Sequence, residues 1–373
     1  MRNRLICTVG TSLLNNLRFS HEESIKQARE AENWQQLSLL LLEKSNLERI
    51  CGAEINSISR ICEKNVLSSL YQLIFLVSDT EDGKKTGELL KLYYENSQNQ
   101  VSFENVEVRV LKGLRDDSVV EFKQQGLKNL VREISKEVSN FSPETIAINA
   151  TGGYKAQISF AGMVGQALEI PVYYLFERFS EVIELPPQPV ALDLAFWLNN
   201  YVIFEQLEAE GIIAKSELEN NINNEYFSSL IDEEKDGKNE KISYISLSAM
   251  GILFNERSRL QFAKQETTLL SLIPQDDTPP ERKQINLRDD HGKDILQAFG
   301  EKICRSPYVK KVINSLPFNR YSVNPIRRTT SDGIVEFVLT WTDVGIGLCI
   351  QTTGRNKAET NSIAIYLKDK FAK

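Results

Sequence analysis

Ile146-Ala147-Ile148-Asn149-Ala150-Thr151-Gly152-Gly153-Tyr154-Lys155 is the stretch on which the fold turns. The short run of β-formers and apolar residues from Thr145 to Ile148 predicts a buried strand. Ala156 to Leu168 then carries apolar residues at helical spacing through Ile158, Phe160, Met163, Val164 and Leu168. Between them, Gly152 and Gly153 permit backbone angles and close approaches that a Cβ forbids. Backbone N–H groups at the start of the helix favour an anion, and Lys155 adds a mobile positive charge. The competing reading is a plain strand-to-helix turn with a surface lysine.

A second turn of the same chemistry stands near the N-terminus. Leu5-Ile6-Cys7-Thr8-Val9 reads as a first strand, too short for the core of a signal peptide, and runs into Gly10-Thr11-Ser12 and the apolar Leu13-Leu14. In a doubly wound sheet, ligands collect beyond the carboxyl ends of the strands, where the strand order reverses. Two strand-end turns rich in Gly, Thr and Ser therefore predict one site.

Composition limits the function classes. A chain of 373 residues predicts two or three domains, and a net charge of -7 excludes coating of nucleic acid by bulk electrostatics while leaving a local basic groove open. Its 5 cysteines are odd in number and lack CxxC spacing, and the only two histidines, His21 and His291, lie far apart. With no long apolar run, the expectation is a reduced, cytoplasmic protein with no metal, no other cofactor and no membrane segment.

Residues 1–190 alternate strand and helix signals. Glu22 to Arg60 predicts two or three helices, in which Leu37 to Leu42 reads as a core helix or a dimer face. Strand Leu73 to Val77 ends in Ser78-Asp79-Thr80 before a helix from Gly83 to Tyr94. Strand Val106 to Leu111 precedes a helix from Asp117 to Val138, and Val172 to Phe176 has a hairpin partner at Val182 to Leu185. Such alternation predicts an α/β domain, a mostly parallel sheet with helices on both faces, closed at Pro186-Pro187-Gln188-Pro189.

Thr8-Val9-Gly10-Thr11-Ser12-Leu13 and Asn149-Ala150-Thr151-Gly152-Gly153-Tyr154-Lys155 together resemble the CARF domain of type III CRISPR ancillary proteins, especially the branch that includes ring nucleases. The resemblance implies a Rossmann-like homodimer that binds cyclic oligoadenylate, most often cyclic tetra-adenylate, across the dimer axis. A two-fold ring on a two-fold dimer presents the same cradle to each half. The implied contacts are Gly10, Thr11, Ser12, Thr151, Gly152, Gly153 and Lys155, with Leu13, Ser78, Thr80, Asn149 and Tyr154 completing the candidate ligand-binding set. Ser12 and Lys155 match the active pair of the ring nucleases, where a ribose 2′-hydroxyl attacks the adjacent phosphate. Lys155 would stabilise the phosphorane and Ser12 would orient an oxygen; binding without cleavage uses the same groups.

Residues 191–270 change character. An amphipathic helix through Leu194, Phe196, Trp197, Ile203, Phe204 and Leu207, a polar helix from Lys215 to Asn223, and a hairpin with the charged stretch 232–238 at its tip look like a winged-helix connector. Its second helix carries Glu217 and Glu219 beside Lys215, which argues against a DNA-reading face.

After the linker 274–280, residues 281–373 predict a small α+β domain. Helical spacing runs through Ile295, Leu296, Phe299 and Ile303, then from Pro307 through Val309, Val312, Ile313 and Leu316. Strands Ile334 to Leu339 and Gly347 to Gln351 and a helix from Glu359 to Phe371 follow. A HEPN ribonuclease needs an Arg followed at short spacing by a His that this segment lacks. A restriction-type nuclease needs an Asp and then Glu-x-Lys, and Glu336-Phe337-Val338 breaks that pattern. By layout and charge the segment resembles the RelE toxin ribonucleases, which implies metal-independent cleavage of single-stranded RNA, on or off ribosomes. The implied catalytic residues are Arg327, Arg328 and Arg355, with Lys357 on phosphate and Tyr366 giving a late proton. His291 reads as a helix-start residue.

The sequence-based expectation is a cyclic tetra-adenylate-activated ribonuclease acting as a homodimer. Its rivals are a ring nuclease alone and a winged-helix transcription regulator.

Overall fold

The computed structural model describes residues 1–176, 181–188, 192–217, 225–235, 243–289, 292–317, 324–341 and 344–371. It forms two compact units, Met1–Ala191 and Leu192–Lys373. The segments 191–270 and 281–373 share the second of these almost entirely.

In the N-terminal unit, β1 (Arg4–Thr8), β2 (Gln72–Ser78), β3 (Asn105–Leu111), β4 (Ile146–Asn149), β5 (Val172–Tyr174) and β6 (Ile183–Leu185) make one sheet in the order β3-β2-β1-β4-β5-β6. The first five strands are parallel and β6 closes the edge antiparallel to β5. The chain starts at the centre, winds out through β2 and β3, then returns to β4 on the other side of β1. The strand order therefore reverses between β1 and β4.

The helices are α1 (Ser12–Arg18), α2 (Glu23–Glu30), α3 (Trp34–Leu42), α4 (Gly52–Glu63), α5 (Glu81–Glu95), α6 (Val119–Glu121), α7 (Leu127–Asn140) and α8 (Lys155–Ala167). A π turn over Phe122–Gly126 joins α6 to α7, so the long helix expected from Asp117 is interrupted. Leu5, Cys7, Leu73, Phe75 and Val77 face the core that α1 to α5 close, while Ile6, Ile74 and Leu76, one residue out of phase, are buried on the other face. In α3, Leu37 and Leu41 are fully buried and Leu39 is 44% exposed, which is the pattern of a helix with one core face.

The C-terminal unit contains α9 (Leu194–Glu210), β7 (Ile213–Ala214), α10 (Glu225–Ser228), β8 (Ile231–Lys235), β9 (Ser243–Leu247), α11 (Ala249–Ser271), α12 (Lys293–Ile303), β10 (Val309–Pro317), β11 (Ile326–Thr329), β12 (Ile334–Trp341), β13 (Val344–Thr352) and α13 (Lys357–Phe371). Two antiparallel sheets result, β7-β9-β8 and β10-β13-β12-β11. Of the polar helix expected from Lys215 to Asn223, Lys215–Glu217 forms a 3-10 turn and the remainder lies outside the described residues, as does His291; of the charged stretch expected at the hairpin tip, 232–235 belong instead to β8 and 236–238 lie outside the described residues. Sequence reasoning missed α11, although Ser248 caps it by accepting the Gly251 N–H at 3.0 Å.

The helix expected after Pro307 is instead the strand β10. Register shifts between Val309 and Lys311 and between Val312 and Asn314 insert residues into the ladder. Each bulge breaks the alternation of two, so the buried Val309 and Val312 fall three apart and imitate one face of a helix. A further shift in β11, between Ile326 and Arg328, leaves consecutive Arg327 and Arg328 both exposed between buried Ile326 and Thr329.

One ion cluster ties three helices of this unit together. The Glu205 carboxylate on α9 receives Arg259 of α11 and, at 2.7 Å, the Lys368 ammonium of α13. Burial alone would push Glu205 up, yet Arg259 and Lys368 hold it below the usual carboxylate range. Glu205→Ala leaves Lys368 without its carboxylate and Arg259 with Glu256 alone, at 3.2 Å, and should cost about 2 kcal/mol at neutral pH. Because the folded pKa is depressed, the contribution is present above the ordinary carboxylate pKa and is lost as pH falls through the folded one. Denaturant unfolding followed by Trp197 fluorescence at pH 7 and pH 4 should show the gap between wild type and variant narrowing at the lower pH.

Candidate ligand-binding site

The turn after β1 and the turn after β4 touch. A Cβ placed on Gly10 would lie 2.8 Å from the Gly153 nitrogen, and one on Gly152 would lie 2.1 Å from Glu54 Oε1 and 3.0 Å from the Gly10 nitrogen. Gly153 also sits at φ +108°, a conformation that side chains rarely adopt. Thr8 Oγ1 donates to the Gly152 carbonyl at 2.5 Å and sews the two turns together. Asn149 and Thr151 extend this polar seam: Asn149 Nδ2 donates to Ser57 Oγ at 2.8 Å, Thr151 Oγ1 donates to Asn149 Oδ1 at 2.7 Å, and Thr151 Oγ1 accepts the Leu175 N–H at 3.0 Å.

At the centre stands Glu54, in the first turn of α4 and 1% exposed. Its Oε1 accepts the Gly10 N–H at 2.8 Å, and its Oε2 accepts the Ser12 hydroxyl at 3.3 Å. No described cation pairs with it. Burial pushes its pKa up, and the Gly10 N–H, its own backbone N–H and Ser12 draw it only part of the way back. Sequence reasoning missed this residue. The available signal was its place at helical spacing with the buried Ile58 and Ile61, where a carboxylate is out of character.

The expectation of open N–H donors at both turns is met only in part. Glu54 takes the Gly10 N–H, and Gln157 Oε1 takes the Tyr154 N–H at 3.2 Å. Leu13 is wholly buried and Asn149 nearly so, which places both behind the surface a ligand would meet. Ser78 and Thr80 are hydrogen-bonded to each other at 2.9 Å, and Thr80 caps α5 by accepting the Gly83 N–H at 3.0 Å. Lys155 is exposed at the start of α8, and its ammonium meets no described partner. No hydrogen bond joins it to Ser12.

Two clefts flank the paired turns. One, of about 380 Å³, includes Gly10, Thr11, Ser78, Thr80, Gly153 and Tyr154 but also three carboxylates, Glu81, Asp82 and Asp116. The other, of about 480 Å³, includes Ser12 and Thr151 together with Arg49, Arg60, Asn56 and Phe176. Several of these charges are paired, Asp82 with Arg18 at 2.8 Å, Glu81 with Lys84 at 3.7 Å and Arg60 with Glu63 at 2.7 Å, so the contrast is one of lining: carboxylates in the first cleft, guanidinium groups in the second, where an anion fits better.

In the C-terminal unit, the sequence-derived residues are distributed along β11 and α13. Arg327 lies 3.6 Å from the Glu336 carboxylate, and the Lys357 ammonium donates to the Thr329 carbonyl, just beyond Arg328. Arg355 forks onto Glu359 at 2.7 Å and also reaches the Leu272 carbonyl. The Tyr366 hydroxyl accepts from Lys370 at 2.7 Å while its ring packs edge-on against Tyr308. Among the described residues, no three His, Cys, Asp or Glu side chains form a metal-ligand group, and no helix is long and apolar enough to cross a membrane.

Residues 49–188 match the sequence model of a family described as CRISPR-associated protein (Cas_APE2256). The matched segment holds Glu54 and the Asn149–Lys155 turn, whereas the Gly10–Leu13 turn precedes it. Among solved structures, the chain is similar to Can2 from Sulfobacillus thermosulfidooxidans in complex with cyclic tetra-adenylate, at 11% identity over 83% of this chain and 86% of that one, with a TM-score of 0.23. It is also similar to protein VC1899 from Vibrio cholerae, at 10% identity over 95% of this chain and 77% of that one, again with a TM-score of 0.23. Superpositions this loose transfer neither a residue nor a ligand.

The buried carboxylate has a pH consequence. Because the folded state holds the Glu54 proton to higher pH than the unfolded chain does, its contribution to stability falls as pH rises from the ordinary carboxylate range through the raised folded pKa. Glu54→Gln removes that slope. Thermal melts of both proteins from pH 4 to pH 8 should therefore show the variant gaining on wild type as pH rises; parallel curves would contradict the assignment.

Proposed function

We propose that the N-terminal unit is a receptor for cyclic oligoadenylate, with cyclic tetra-adenylate as the first candidate, in type III CRISPR defence. The observation that carries this reading is the meeting of the Gly10–Ser12 and Thr151–Lys155 turns at the point where the strand order reverses, beside a cleft with two guanidinium groups. Arg49 suits a phosphate oxygen, as does Arg60 where it is not taken by Glu63 at 2.7 Å; the amide nitrogens of Asn16 and Asn56 already serve backbone carbonyls, which leaves their oxygens for base edges, and the exposed Phe176 ring offers a stacking face. The CRISPR-associated family match over residues 49–188 supports the same reading. The protein acts as a homodimer with the ring across its axis, each protomer contributing one pair of turns.

The proposal extends to chemistry at two places. In the N-terminal unit, Ser12 orients a ribose oxygen and Lys155 offsets the charge that builds on the phosphorane as the 2′-oxygen attacks. In the C-terminal unit, entered through a winged-helix connector, exposed Arg327 and Arg328 with Arg355 and Lys357 engage single-stranded RNA and stabilise the same type of transition state without metal. Ligand binding favours the cutting state only to the extent that the ring binds that state more tightly.

A second reading is favoured by a specific observation: Arg355 is forked onto Glu359, Tyr366 is held by Lys370, and Arg327 faces Glu336. Groups so committed suit a structural C-terminal unit and leave ring cleavage as the chemistry.

Incubation of the protein with RNA in EDTA separates the two. Cutting that requires cyclic tetra-adenylate and is lost in Arg355→Ala supports the effector reading. Intact RNA beside a linearised ring supports the second. Lys155→Ala should weaken ring binding by about tenfold or more in calorimetric titration, the worth of one charge-assisted contact.

A further inference from the structure

The polar seam around Glu54 sets more than the shape of the turns, because a serine hydroxyl has one hydrogen to donate and two lone pairs to accept with. With Glu54 ionised, as it is above its raised folded pKa, Ser12 spends its hydrogen on Glu54 Oε2 at 3.3 Å, and one lone pair receives the Ala53 N–H at 3.4 Å. What Ser12 still presents to the 480 Å³ cleft is a single lone pair. An acceptor of that kind cannot bind a phosphate oxygen, which is itself only an acceptor. It suits a donor.

We infer that Glu54 is a positioning residue that fixes the polarity of Ser12, making it the acceptor for a ribose 2′-hydroxyl, so that the site reads ribose against deoxyribose. This inference rests on the cyclic oligoadenylate reading of the N-terminal unit and narrows it: in a 3′,5′-linked ring the 2′-hydroxyl is the sugar's remaining donor. The phosphates then fall to the guanidinium groups of that cleft, Arg49 and Arg60, and not to Ser12.

Three features hold Glu54 in this role. Its Oε1 is pinned by the Gly10 N–H, so Oε2 is the atom left to face Ser12. Gly152 packs against the same carboxylate so closely that any side chain there would collide with it, which leaves the group no room to swing away. Its burial at 1% exposure keeps water from competing for Oε2. A carboxylate buried without a cation partner among the described residues costs stability. Such groups concentrate where their chemistry is used.

Glu54→Gln conserves shape and reverses the hydrogen bond. The introduced amide oxygen can keep the Gly10 N–H, and its nitrogen then donates to Ser12 Oγ, turning the serine hydrogen toward the cleft. The experiment is calorimetric titration of full-length wild type, Glu54→Gln and Ser12→Ala with cyclic tetra-adenylate and with its all-2′-deoxy counterpart, at a pH above the Glu54 transition found in the melts. Wild type should prefer the ribose ring by about fivefold or more, the worth of one hydrogen bond to an oriented acceptor. Both variants should reduce that preference to about twofold or less.

A merely structural Glu54 would weaken both rings in the same proportion and leave their ratio unchanged, which overturns the inference. So does a wild type that binds both rings equally, although the receptor reading then survives. If wild type binds neither ring, the receptor reading fails and this inference fails with it. Should Glu54→Gln not fold, Ser12→Ala decides alone: a retained ribose preference in that variant rejects the role for Ser12, and a lost one supports it.

Discussion

Because β1 is hydrogen-bonded to β2 on one side and to β4 on the other, the backbone leaving Thr8 must turn within van der Waals distance of the backbone leaving Asn149. The constraint propagates outward. It demands glycine at positions 10, 152 and 153, and it creates a gap between backbones that only a thin group can enter. The Glu54 carboxylate is that group. Planar and carried on α4, it bridges an N–H of one turn and a hydroxyl of the same turn while lying flat against the other turn.

The same geometry divides the end of the sheet into two electrostatic regions. On one side, Glu81, Asp82 and Asp116 line a cleft whose hydroxyl groups already serve the cap of α5. Nearby Asp79 is held below its ordinary range by the Gly113 N–H first, and by Lys84 and Arg115 after it. On the other side, Arg49 and Arg60 line a cleft that also contains Ser12 and Thr151. The two clefts thereby differ in what they offer a ligand: carboxylates on one side of the turns, guanidinium groups on the other.

Much of the N-terminal unit was legible because its determinants are local. Apolar runs such as Leu73 to Val77 mark buried parallel strands, and Gly152-Gly153 and Gly10 mark turns whose need for glycine is written in the residues themselves. Glu54 was legible only as a carboxylate on an apolar helix face, in step with Ile58 and Ile61; its meaning arises from partners 42 and 44 residues away in the chain. The acidic cleft was hidden for the same reason: Asp116 and Glu81 meet only after folding. In the C-terminal unit, the bulges of β10 disguised a strand as a helix, because spacing reports periodicity and a bulge changes the period. The basic residues were found; Glu359, four residues beyond Arg355, was a partner within local reach, whereas Glu336 meets Arg327 only across the β11–β12 ladder.

The cluster at Glu205 gives the C-terminal unit a mechanical character. One carboxylate on α9 is held from two directions, by α11 and by α13, so sliding α9 along its axis would break two ion pairs at once in a setting where water cannot easily replace them. Any shift of α9 along its axis is thereby resisted from both neighbours at once, through the one carboxylate they share.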